Sequence, residues 1–113
     1  MVQPAIQRKH LITALVHNRN VTSDDVREIT LEPGRQTGRH LHPCAVVGYI
    51  VSGTATVQIE GQAALTLPAG SAFHEPAGVT MAAFNNASDT DPLTFIAFYL
   101  LDGDQELITM LDK

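Results

Sequence analysis

Turn residues punctuate this chain too regularly for long helices to fit between them. Pro33-Gly34, Ser52-Gly53, Gly61-Gln62, Pro68-Ala69-Gly70 and Pro76-Ala77-Gly78 break it at intervals of roughly 8–12 residues. Between the breaks, apolar and polar residues alternate. In residues 54–60, Ala55, Val57 and Ile59 share one face and Thr56, Gln58 and Glu60 the other, the period-two pattern of a half-buried strand. Ser23-Asp24-Asp25 offers a helix N-cap, yet Arg27, Ile29 and Leu31 fall on one face of an alternating run over 26–32, which predicts a strand. Residues 46–51, 63–67, 71–75, 79–84 and 93–101 read as further strands, and 11–16 as a short apolar strand after a loose arm or an edge strand over 1–10. The tail, 102–113, has apolar residues enough for a helical turn or an edge strand. This pattern predicts an all-β sandwich or barrel. With no repeat, linker or low-complexity segment, residues 1–113 form one domain, its barrel core at about 26–101.

Composition narrows the partners. Twelve acidic residues against seven Lys and Arg give a formal charge of −5, and an acidic chain with no basic stripe is a poor match for nucleic acid or an anionic membrane. No apolar run approaches the ~18 residues of a membrane span, and the N-terminus lacks the order of a signal peptide. The one cysteine, Cys44, excludes an internal disulfide and fits a reducing compartment. These features predict a cytoplasmic protein. Sheet edges and an apolar tail need covering, which predicts a homodimer.

The chemistry concentrates in residues 34–53. His40 and His42 stand two apart before Pro43 and a run of β-formers, so on a strand both imidazoles project to one side. Two converging imidazoles make half of a metal site. The weaker alternative is a pair of hydrated polar residues at the mouth of a barrel.

The same stretch resembles the first motif of the cupin family: Gly, five residues, His, one residue, His, then a Glu and a closing Gly. Gly34, His40, His42 and Gly53 match, with Val46 at the glutamate position. The second motif is matched without a gap by Gly70, Pro76, Gly78 and Asn85, with Met81 at its histidine position. The resemblance covers roughly residues 26–101 and implies a cupin-type double-stranded β-helix, a jelly-roll barrel. It also implies metal ligation by His40 and His42, with a valine and a methionine at the other two ligand positions. Several cupins direct a glutamate just before the second-motif proline into the pocket, which makes Glu75 the best third ligand here. His74 would point the other way on a regular strand, but strand ends bulge, so either can serve.

Tyr49, Phe73 and Met81 are expected as core or ligand-pocket lining, Met81 filling the volume of the absent histidine. Cys44 has no evident positive neighbour to activate it. His10 and His17 are expected to be solvated. There is no nucleophile elbow, phosphate loop or Cys pair for zinc. The reading is a small single-domain cupin that binds a small molecule, a divalent transition metal (Mn, Fe, Zn or Ni), or both, through a reduced His–His site, with catalysis open. The alternative is a metal-dependent dioxygenase, isomerase or lyase acting on a small organic acid or phenol. In an eroded barrel the metal would be absent.

Overall fold

The computed structural model describes residues 5–111, and its strands follow the alternation read above. Nine strands are formed: β1 (Ser23–Leu31), β2 (His40–Leu41), β3 (Ala45–Ser52), β4 (Thr54–Ile59), β5 (Leu65–Pro68), β6 (Ala72–Glu75), β7 (Met81–Asn86), β8 (Leu93–Leu101) and β9 (Thr109–Met110). There is no helix among the described residues. The tail therefore takes the edge-strand option. Residues 11–16 form no strand and have no ladder partner. An apolar run satisfies only the side-chain half of a strand's requirements, and the backbone half needs a neighbouring edge.

The strands make two antiparallel sheets, ordered β1-β8-β3-β6 and β5-β4-β7-β2-β9. This is the jelly-roll architecture that the cupin resemblance implies. β8 is the spine of the first sheet. It pairs with β1 from Ser23↔Leu101 to Leu31↔Leu93 and with β3 on its other side. Its burial alternates strictly along nine residues, so Leu93, Phe95, Ala97, Tyr99 and Leu101 face the interior.

The core lies between the sheets and includes Ile50, Val57, Met81, Leu93 and an aromatic cluster of Phe73, Phe84 and Phe95. The Phe73 ring meets Phe84 and Phe95 edge-to-face at 5.0 and 6.0 Å between centroids, a favoured arrangement for aromatic quadrupoles. Gly48 makes room for it. Gly48 lies between Ala97 and Phe73 in the ladder, and any β-carbon there would collide with the Phe73 ring. Gly53 has a different constraint: its φ is +84°, and a β-carbon would lie 2.5 Å from the Pro92 carbonyl.

The loop after β7 is held by one buried side chain. The Asn86 amide donates to the carbonyls of Leu31, Glu32 and Asp91, and its oxygen accepts from the Ser88 N–H. That ties the end of β1 to the entry of β8.

Candidate metal centre

Two sheets bring the site together. His40 opens β2, directly opposite Met81 on β7 and Met110 on β9. His42 follows two residues later, just past the end of β2 and before Pro43. From the other sheet, Glu75 closes β6, in register with Val46 on β3, which is in register with Tyr99 on β8. Residues opposite each other in a ladder share a face. The row Tyr99, Val46 and Glu75 therefore looks across the interior at the two histidines.

His40 Nε2 lies 3.2 Å from Glu75 Oε1, and His42 Nε2 lies 3.4 Å from Glu75 Oε2. The imidazoles meet edge-on, 5.1 Å apart at 76°. One ligand atom from each of the three residues falls within 4.8 Å of the others. His40, His42 and Glu75 are all buried, at 1%, 4% and 4% exposure. This corrects the barrel-mouth expectation. The covering comes from the chain's end, which the local sequence around His42 could not reveal: the Leu107 carbonyl sits 2.7 Å from His42 Nδ1, and β9 flanks β2.

The outer ring nitrogens fix the chemistry of the inner ones. His40 Nδ1 is 2.8 Å from the Gly38 carbonyl and His42 Nδ1 faces Leu107. A carbonyl only accepts, so each Nδ1 carries the proton and donates. In the neutral rings both Nε2 atoms are then lone pairs aimed at a carboxylate. His42 Nε2 has no hydrogen-bond partner at all. Three acceptors without a donor is an arrangement that a cation completes, whether a proton or a metal. When it is a proton, His40 takes it: burial alone would push that imidazole's pKa down, but the Glu75 hydrogen bond, the Gly38 carbonyl and the Glu75 charge raise it overall. Burial likewise works to raise the Glu75 pKa, and the two histidines hold it below the usual carboxylate value.

The cluster opens on a cavity of about 100 Å³. Thr37, Val46, Phe84, Phe95, Ala97, Ile29 and Tyr99 complete its wall, and Tyr99 touches the His42 ring edge-on at 5.8 Å. Burial and the Glu75 charge push the Tyr99 phenol pKa up, so it stays protonated. Tyr99 and the Leu107 carbonyl were missed from sequence. The alternation of β8, with Phe95 and Ala97 facing inward, was the available signal for Tyr99.

The other candidates sit elsewhere. His74 pairs with Val47 and faces away from Glu75; its Nε2 is buried without a partner, and burial lowers its pKa. The structure thus brings Glu75, and not His74, to the histidines. Phe73 and Met81 line a second, larger cavity of about 210 Å³ together with Ile12, Leu65 and Leu67. Tyr49 is exposed on the outer face of its sheet, because its neighbours Gly48 and Ile50 take the inner one. Cys44 is buried, which pushes its thiol pKa up. His10 and His17 are exposed.

Two histidines and a carboxylate gathered inside a jelly roll form a donor set that could hold a metal ion. The cupin domain family matches residues 27–107, and the chain belongs to that family. Solved structures with the same fold include one of the DMSP lyases RdDddP and RnDddQII, at 24% identity and a TM-score of 0.68, covering 80% of this chain and 45% of that one. A cupin-like protein from Thermotoga maritima matches at 23% identity and 0.67, covering 78% and 64%. An oxalate oxidase bound to the substrate analogue glycolate matches at 20% and 0.63, covering 78% and 46%. This chain thus spans less than half the length of the lyase and oxidase chains. No curated protein matches it. No helix among the described residues is long and apolar enough to cross a membrane.

Proposed function

We propose that this cupin binds one divalent transition metal through His40 Nε2, His42 Nε2 and Glu75, and uses it on a small organic acid held in the adjoining cavity. The observation that carries the proposal is the buried convergence of two imidazole lone pairs on one carboxylate. Two histidines and one carboxylate are a donor set suited to Fe, Mn, Ni or Zn, and three protein ligands leave positions open for substrate or water. The metal would supply a Lewis acid or an oxygen-binding centre.

The chain's own residues define the rest. The Gly38 and Leu107 carbonyls orient the rings and make the inner nitrogens more basic. Phe84, Phe95, Ala97 and Ile29 keep water from the cavity. Tyr99, protonated, can donate a hydrogen bond to a substrate oxygen. At about 100 Å³ the cavity suits a compact acid better than a substituted phenol. The lyase and oxidase activities named for the similar structures agree with this reading as analogies of fold.

Metal analysis of the purified protein, followed by calorimetric titration of the stripped protein with Mn(II), Fe(II), Ni(II) and Zn(II), tests the proposal. One metal per chain, lost in His40→Ala, is the expected result. A folded protein that takes up none of the four would overturn it and leave a metal-free binding barrel.

A further inference from the structure

The larger cavity, of about 210 Å³, has no part in the histidine–carboxylate cluster. It lies where the two sheets part, between their edge strands β5 and β6. Val57 and Ile59 of β4, Leu65 and Leu67 of β5, Phe73 of β6 and Met81 of β7 form most of its wall. None of its residues lines the cavity beside His40, His42 and Glu75. Met81 is paired with His40 across the ladder, and Phe73 packs on Phe84 at 5.0 Å, so these two side chains stand between the spaces.

A small molecule can reach this space without opening the barrel. Leu65 on its wall is 58% exposed, and Ile12, which covers it from the other side, is 37% exposed. Ile12 belongs to a segment, 8–21, that makes no backbone hydrogen bond to any strand among the described residues. Side-chain packing alone holds that cover in place.

Size and one polar atom define the occupant. An apolar cavity of about 150 Å³ holds benzene, so 210 Å³ takes a single six-membered ring with a substituent. The Phe73 ring and the Met81 thioether both favour a ring as neighbour. Only Gln62 and His74 bring polar side chains to the wall. Gln62 is exposed and hydrated, whereas His74 Nε2 is buried with no partner. Native structures rarely leave such an atom unsatisfied. The tautomer decides whether that nitrogen donates or accepts, and a hydroxyl satisfies it either way. A carboxylate suits only the donor form, and it would bring a charge among apolar side chains. We propose that this space is a ligand site separate from the metal centre, taking a neutral, ring-sized molecule with one hydroxyl, a phenol or cyclic alcohol, which bonds to His74 Nε2. The site stands whether or not His40, His42 and Glu75 hold a metal.

Titration of the full chain with phenol and with toluene, followed by methyl NMR, tests this. Phenol should shift the Met81, Leu65 and Leu67 methyl signals saturably, at one site per chain. His74→Leu removes the hydrogen bond and keeps the apolar wall, so the ratio of phenol to toluene affinity should fall at least ~10-fold. Leu65→Trp fills the space from its exposed side and should abolish binding of both probes, with the circular dichroism of the parent retained. His42→Ala, which touches none of this wall, should keep both affinities. Phenol that leaves these methyl signals unmoved overturns the proposal, as does a phenol-to-toluene ratio indifferent to His74→Leu. Phenol binding that survives Leu65→Trp and is lost in His42→Ala would overturn it too, by placing the phenol at the metal centre.

Discussion

Glu75→Gln separates what the cluster does for the fold from what it does for a metal, because the two effects have opposite signs. In the stripped protein Glu75 is a buried carboxylate, 4% exposed, that depends on a proton shared with His40. The glutamine amide is neutral and carries two N–H donors. Its nitrogen replaces one of the two carboxylate oxygens and can donate to the Nε2 on that side, 3.2 Å away for His40 or 3.4 Å for His42, while the amide oxygen faces the other ring. With the carboxylate gone His40 gives up its proton as well, and replacing both charges of a buried ion pair by neutral groups is commonly neutral or stabilising, by about 1–4 kcal/mol. A gain of 1 kcal/mol lifts the melting temperature of a domain this size by about 4 °C. Metal affinity moves the other way. The amide is a weaker, uncharged ligand, and even second-shell changes commonly cost ~10–100-fold, so the loss should reach at least ~100-fold for Mn(II) or Zn(II). Calorimetric titration and thermal melts of stripped parent and variant read both quantities. A variant that melts lower and still binds metal like the parent would refute the reasoning, since Glu75 would then be serving the fold alone.

In the metal-free protein the pH profile follows from the two shifted groups. Glu75 is held below its ordinary 4.5, so its contribution is present above that value and lost as pH falls through its folded value. His40 is raised above 6.5, so its contribution is complete below 6.5 and lost as pH rises through the raised value. Urea melts should therefore show greatest stability between those limits, a decline on the alkaline side, and recovery of the alkaline loss when metal is added. Asn86→Ala removes four hydrogen bonds at a 5%-exposed position and should cost about 2–3 kcal/mol in chemical denaturation, with metal affinity unchanged. Met81→His places an imidazole directly opposite His40 and should tighten metal binding at least ~10-fold by titration; an unchanged constant would mean that the side chain turns into the apolar cavity.

The fold was largely legible in the sequence, because it depends on features that are local. In 93–101 and 54–60, period-two alternation bounded by Gly, Pro and Asp marks a strand wherever it folds. Residues 11–16 have the same apolar content and form no strand, since a strand also needs an edge to pair with, and no local pattern specifies one. The site was half legible. His40 and His42 are paired by their own spacing, whereas choosing between His74 and Glu75 depends on the register of β6 against β3, where a slip of one residue exchanges the faces. Tyr49 could have been placed outside by the same logic: with Val46 and Ile50 inward, the odd positions of β3 face out. Burial of the histidines could not be foreseen, because Leu107, which covers His42, is 65 residues away.

That last contact bears on time more than on affinity. The ring of His42 is fastened to the C-terminal segment, and His40 is paired with β9, a strand of only two residues, Thr109–Met110. A two-residue edge strand opens far more often than a whole domain unfolds, so lifting 107–111 is a low-cost way to expose the ligands. Ions would then enter and leave at a rate set by the protein. With a chelator such as EDTA in excess, release should become independent of chelator concentration and track the hydrogen exchange of the Leu111 amide, which donates to Arg39 O. The segment 107–111 then acts as the clock of the site, and weakening its pairing with β2 would speed loading and loss together.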